Sequence, residues 1–418
     1  MTHLRDRLAV KLKFAEREEP RPVGTLALAR QGRAYKIYFQ YDEEFLANPL
    51  PLSPLHLPPE RRLFHFDDPA FECLPGLFND SLPDGWGRLL FDRFAAGRGF
   101  ARHNITPLDR LAHKSGSAMG ALVYEPVYAE EAANLPQALN LDFLSQEAEQ
   151  VMRGASAEVL GELLALNGSS AGARPKALVQ IDEAGQNIIY AGESVAGYAP
   201  WLVKFTNSRD GADAGAIEYV YALMAKKAGL AMPPVRLLPA AAGAGYFAVQ
   251  RFDRCGPGGA EYLHMHSAAG LLQSDFRAPA LDYKDLMALT QFLTRDFRET
   301  EKMLRLAAFN VLAHNRDDHG KNFSFLMAKT GEWKISPAYD LTFSRGPNGE
   351  QSTMLLGEGR APDKARLLKL GKMFALGDAA VAAIVEEVRA AVSCWPQLAA
   401  EHGVSRASIA EINRFLQI

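Results

Sequence analysis

The chain has 418 residues, of which 48% are hydrophobic and 23% charged, with a formal net charge of -3. That length exceeds one ordinary core and predicts two or three domains, while so small a net charge gives no global field for gripping nucleic acid. The three cysteines, Cys73, Cys255 and Cys394, are far apart and odd in number, which excludes a disulfide framework or paired-cysteine zinc site and fits a reducing compartment.

At the N-terminus, MTHLRDRLAVKLKFAEREEP interrupts its apolar residues with Arg7, Lys11 and Lys13, so no signal-peptide core forms. No later run reaches the ~18 uncharged apolar residues of a membrane span, and a cytoplasmic protein without a membrane partner is expected. From about residue 8 to 40 the stretches LAVKLKF, TLALAR and AYKIYFQY alternate, with Gly24 and Gly32 as turn signals, predicting a small antiparallel sheet. The proline-punctuated NPLPLSPLHLPPE can be neither helix nor central strand and reads as extended connection. LPGLFNDSLPDGWGRLLFDRF predicts one capped helix from Leu74 to Phe94, and KSGSAMGALVYEP a Gly-rich loop running into a strand.

After about residue 137, LDFLSQEAEQVMRG and AEVLGELLALNG carry apolar residues at helical spacing. ALVQIDEAGQNIIYAG predicts a hairpin around Asp182 to Gln186, WLVKF a short buried strand, and AGAIEYVYALMAKKA a helix over about 214–228 closed by Gly229. YFAVQRFD is another strand. From Asp282 onward helices dominate, interrupted by NFSFLM and WKIS, which AKTGE joins into an antiparallel hairpin.

Three constellations carry chemistry. In HNRDDHGKNFSF, Asp317 and Asn322 enter that hairpin and Asp340 in PAYD leaves it, so three oxygen ligands should converge. Phosphoryl transfer from a magnesium nucleotide needs such a set: one Asp to orient or deprotonate the acceptor hydroxyl, and an Asn and an Asp for the metal. Alone, D-x-x-x-x-N is a weak pattern that a solvated loop can match by chance. A metal site at His314 and His319 is weaker, since five positions apart they share no helical face and bring no third ligand. In the second constellation, Lys204 ends an apolar strand and Glu218 sits near the start of the next helix, the pairing a kinase uses to clamp α and β phosphates; the bland alternative is a snorkelling lysine. In the third, NGSSAGARPK, Gly168 and Gly172 permit amides that face an anion, beside Ser169 and Ser170. It is not a Walker A loop, because Lys176 follows Gly172 by four positions and precedes Ala177.

With these blocks in order, the sequence resembles the HipA family of serine/threonine kinases, toxins of bacterial toxin-antitoxin modules, over nearly its whole length. FQYDEEFLANPLPLS, LPGLFNDSLPDGWGR and SGSAMGAL look like its N-terminal subdomain, GSSAGARPK, WLVKF and VQRFDR like its nucleotide lobe, and LAAFNVLAHNRDDHGKNFSFL with SPAYDL like its catalytic lobe. The resemblance implies an α/β (α+β) N-terminal half with a kinase-like nucleotide lobe, followed by an all-α-dominated C-terminal lobe. The divisions expected are 1–135, 136–253 and 254–418.

Carried over by position, the resemblance implies Asp317 as catalytic residue and Asn322 and Asp340 as magnesium ligands. Lys204, Gly168, Gly172, Gln250, Phe252 and Lys321 would contact ATP, Glu218 would pair with Lys204, and Ser169 or Ser170 would be autophosphorylated. Gln250 stands where many members carry Glu, which alters the hinge charge. Partners implied are a small helix-turn-helix antitoxin and, through it, operator DNA, with a translation protein such as an aminoacyl-tRNA synthetase as substrate. Two other readings are an antitoxin-binding corepressor with vestigial kinase activity and a small-molecule kinase, the latter leaving the N-terminal subdomain unexplained.

Overall fold

The computed structural model describes residues 5–32, 34–113, 119–127, 137–154, 160–167, 172, 174–206, 211–278 and 280–417. Gly168, Ser169 and Ser170 lie outside them, as does the predicted loop at 114–118. Among the described residues no helix is long and apolar enough to cross a membrane.

The alternating N-terminal stretches form an antiparallel sheet of β1 (Arg7–Leu12), β2 (Arg21–Gln31), β3 (Ala34–Tyr41), β4 (Phe64–Phe66) and β5 (Leu122–Glu125), in the order β4-β3-β2-β1-β5. Leu8, Val10 and Leu12 point from one face of β1 into the core, as a period of two requires. After a short helix, Glu43–Ala47, the proline-rich segment at 48–60 contains neither helix nor strand.

A second antiparallel sheet contains β6 (Gln137–Ala138), β7 (Lys176–Asp182), β8 (Ile188–Tyr190), β9 (Tyr198–Lys204), β10 (Val235–Leu238) and β11 (Tyr246–Gln250), ordered β10-β11-β9-β7-β8-β6. The β7–β8 hairpin turns where Asp182 accepts from the Gln186 and Asn187 amides at 2.8 and 3.1 Å, a side-chain-closed turn. Strand β9 is central, and its register sets Lys204 directly opposite both Lys176 and Phe247. Short strands β12 (Arg254–Cys255) and β13 (Glu261–Tyr262) pair with each other. The hairpin of β15 (Ser324–Met327) and β16 (Trp333–Ile335) gains an unanticipated third strand, β14 (His264–Ser267).

The longer helices are α1 (Gly85–Gly97), α2 (Leu141–Met152), α3 (Leu160–Asn167), α4 (Ala214–Lys227), α5 (Tyr283–Thr294), α6 (Phe297–Leu312), α7 (Lys364–Met373), α8 (Asp378–Val392), α9 (Trp395–Glu401) and α10 (Arg406–Asn413). The single helix expected from Leu74 to Phe94 is corrected: a short turn of helix, Gly76–Asn79, precedes α1. Pro83 explains the break, since it lacks an amide donor and pushes Leu82 out of helical geometry.

Two apolar cores result. One joins the first sheet (Val10, Phe39) to α4 (Val220, Tyr221) and the C-terminal helices (Phe309, Val388, Trp395). The other packs Trp86, Leu90 and Phe91 of α1 against Leu163 of α3 and Val179 and Val203 of the second sheet. Each such buried side chain stabilises by about 1.5–3 kcal/mol, so α1 is held firmly on a sheet distant in sequence. A buried polar clamp ties the first sheet's connection to β14: His266 Nδ1 meets Asp80 at 2.6 Å and its Nε2 meets Ser53 Oγ at 3.0 Å. Ser53 is 1% exposed, so this Ser-His-Asp set admits no substrate and serves packing.

Candidate active site

A cleft of about 700 Å³ lies between the second sheet and the β14-β15-β16 region. Strands β9 and β11 supply an apolar wall of Leu202, Phe247 and Val249, with Met232 and Leu341 beside it, and Gln250 and Phe252 follow at the end of β11. Lys204, Glu218, Gly172, Lys321, Asn322, Asp317 and Asp340 line the same cleft. The described residues that the kinase resemblance singled out are therefore in one place, whereas His314 is not among them.

Lys204, at the end of β9, is 10% exposed and donates to Glu218 of α4 at 2.5 Å and to Asp340. Glu218 is 2% exposed and also meets Arg174 at 3.4 Å. A buried ammonium needs such partners. Burial alone would lower the Lys204 pKa, but the Asp340 and Glu218 charges raise it above its ordinary value. Burial would likewise raise Asp340, yet the Lys204 and Lys176 charges hold it well below the usual carboxylate range. Asp340 is thus held ionised, and it has a left-handed backbone (φ 55), a conformation uncommon outside glycine and associated with functional positions. Its neighbour Tyr339 fixes it, donating to the Lys321 carbonyl at 2.6 Å and packing its ring, tilted by 40°, 5.4 Å from that of Phe252.

The Asp317–Asn322 loop is folded on itself by Asn322 Nδ2, which donates to the Asp317 carbonyl at 2.7 Å and leaves Oδ1 as the atom able to serve a cation. The Asp317 carboxylate stands at the cleft mouth, 4.0 Å from His319 Nε2. Enclosure by the cleft walls raises its pKa above the ordinary carboxylate value, His319 opposing and Asp340 adding to the shift.

Asp318, given no role from the sequence, is the anchor beneath this loop. Its fully buried carboxylate accepts from Tyr283 Oη at 2.6 Å, Gln351 Nε2 at 3.0 Å and the amides of Ser352 and Thr353 at 2.9 and 3.1 Å. Burial pushes it up to about 7 despite those donors. His314 packs between the Phe343 and Phe415 rings and takes no part in the cleft.

Sequence reasoning gave no role to several charged residues of the cleft, among them Lys176, Arg174 and Asp84. Lys176 on β7 is 4% exposed, and burial and then the Lys204 charge lower its pKa to about 8. The failed Walker A pattern drew attention away from its strand partner. Arg174 approaches Glu218, and Asp84 reaches Lys321 Nζ at 2.5 Å from the start of α1. No signal within the local sequence marks Asp84.

Lys176, Lys204, Lys321 and Arg174 form a cationic floor suited to phosphates, and the apolar wall suits a planar base. Among the described residues no group of three or more His, Cys, Asp or Glu could hold a metal alone. One Asp and one Asn fit a magnesium ion that takes its remaining ligands from phosphates and water.

Residues 168–395 match the model of the HipA-like C-terminal domain, and residues 18–125 that of the HipA N-terminal domain. Among solved structures the chain is similar to HipA in the Shewanella oneidensis MR-1 complex of HipA, HipB and operator DNA. The TM-score is 0.68 and the identity 18%, over 98% of this chain and 96% of that one. The Helicobacter pylori proinflammatory kinase CtkA gives a TM-score of 0.36 at 12% identity, over 52% of this chain and 88% of that one. A search of curated proteins by sequence returned no match.

Proposed function

We propose, from the premise that this chain belongs to the HipA family, that it is a magnesium- and ATP-dependent serine/threonine protein kinase of two-lobed, protein-kinase-like architecture. The divisions 1–135, 136–253 and 254–418 go with that proposal. The observation that supports it most is the Lys204 ammonium paired with both Glu218 and Asp340 in the cleft that holds Asp317 and Asn322. A strand lysine, a helix glutamate and an Asp/Asn/Asp set are the parts phosphoryl transfer uses.

In this reading Asp340 and Asn322 Oδ1 hold magnesium, and Lys204 and Lys176 hold phosphates. Gly172, with Gly168 outside the described residues, belongs to the phosphate-covering loop. Leu202, Val249, Gln250 and Phe252 seat the base. Magnesium held there would neutralise phosphate charge while ATP, the substrate, would give its terminal phosphoryl group to the acceptor hydroxyl and leave as ADP. Asp317 orients the acceptor hydroxyl and takes its proton, and Lys321 faces the charge on the transferred group.

Ser169 or Ser170 is the proposed autophosphorylation site; a dianionic phosphate there would compete for the cations that hold nucleotide. The Shewanella structure, a complex with HipB and operator DNA, supports a small helix-turn-helix antitoxin, and through it operator DNA, as partners of this chain too. A translation protein such as an aminoacyl-tRNA synthetase is the proposed substrate, its modification arresting growth in the cytoplasm.

The test is to compare phosphopeptides in cells expressing the protein or Asp317→Ala. Serine or threonine phosphates confined to the active form are expected. Identical phosphopeptide sets and identical growth would instead favour a binding protein.

A further inference from the structure

Asp84 stands at the N-cap of α1, where a carboxylate ordinarily accepts from the free amides of the first turn, yet its side chain makes no such bond. It accepts instead from Lys321 Nζ at 2.5 Å, 237 positions away. The two side chains are 16% and 7% exposed, so this is not a screened surface pair. The Lys321 ammonium also lies 4.6 Å from the Phe276 ring centroid. Two residues beyond Asp84, the Trp86 amide donates to the Gly172 carbonyl at 3.2 Å. Gly87 runs so close to α3 that an added Cβ would sit 2.4 Å from Asn167 Nδ2. The start of α1 therefore touches the loop of Asp317 and Asn322 on one side and Gly172 on the other.

We infer that Asp84 is a positioning residue of the phosphotransfer site, holding the Lys321 ammonium where charge develops on the transferred group. The N-terminal region thereby completes the site. A lysine carries many rotamers, and a fixed counter-ion removes that freedom before the reaction. The packing of Trp86, Leu90 and Phe91 into the second core fixes the counter-ion in turn. This inference rests on the kinase reading of the same cleft.

The test is a double-mutant cycle in the full-length protein: kcat and KM for Mg-ATP in wild type, Asp84→Asn, Lys321→Met and the double variant, with a protein acceptor. Asp84→Asn should lower kcat about tenfold with KM for ATP changed less than about twofold. The double variant should be no slower than Lys321→Met alone, because Asp84 acts through that lysine. Asp84→Glu should recover part of the loss. Losses that multiply in the double variant, or a loss confined to KM, overturn the inference while leaving the kinase reading intact. Absence of transfer by wild type overturns both. Should Asp84→Asn fail to fold, the cycle is run with Asp84→Glu and Lys321→Arg under the same criterion.

Discussion

The Lys204 ammonium donates to the Asp340 carboxylate across 136 positions of sequence, joining the end of a central strand to the segment that leaves the β15–β16 hairpin. With Glu218 on its other side, Lys204 is the common partner of two carboxylates, one of them almost wholly buried. Removing one partner of such a pair leaves charge uncompensated in a poor solvent. Lys204→Met is expected to cost about 3 kcal/mol in urea unfolding and to abolish the rise in unfolding temperature that Mg-ATP gives. A variant as stable as wild type, with the nucleotide shift retained, would count against this role.

Lys176 behaves in the opposite sense. Its pKa is lowered to about 8 by burial and the facing Lys204, so between about pH 8 and the ordinary lysine value of 10.5 the unfolded chain binds more protons than the folded one. Its contribution therefore rises with pH through that window and is unfavourable below it. Lys176→Met should stabilise the protein at pH 7 by about 1–3 kcal/mol, flatten the rise above pH 8, and weaken ATP binding. Unfolding curves from pH 7 to 10.5 with nucleotide titration check all three.

The pH dependence of turnover should carry an acid limb set by Asp317. Its proton-accepting form is lost as pH falls through a pKa raised above the ordinary carboxylate value, whereas Asp340 remains ionised to lower pH. The limb in kcat/KM should therefore lie above the range of an unperturbed aspartate and move when His319 becomes Gln. A profile flat down to the ordinary aspartate range would contradict the assignment.

Asp318→Ala should lose about 3 kcal/mol, because Tyr283 and the Ser352 and Thr353 amides are left as buried donors without their acceptor. It should also slow transfer, since the loop of Asp317 loses its anchor. Chemical denaturation and kcat measured on the same preparation test the two effects together.

Local pattern carried much of this structure. The helix read over 214–228 runs Ala214–Lys227 and ends at Gly229 with φ +78, because amphipathic spacing and a left-handed glycine are both local signals. The β7–β8 and β15–β16 hairpins were equally legible. What pattern did not carry was pairing between distant segments. Strand β14 joins β15 from 57 positions away by register (Ser267 with Ser324), and Asp84 meets Lys321 only because α1 leaves its neighbours in sequence to pack in the second core. Lys176 looked like a failed phosphate-loop lysine until the strand register set it opposite Lys204. Asp318 could not be told from Asp317 by residue type, since burial alone separates the anchor from the residue proposed to react.

The most direct measurement starts from protein dephosphorylated to a single intact mass and then incubated with Mg-ATP. Wild type should gain one phosphate increment, mapped to Ser169 or Ser170, and Asp317→Ala should gain none. A wild-type mass that stays unchanged, or an Asp317→Ala protein that gains the same increment at the same rate, would contradict the account.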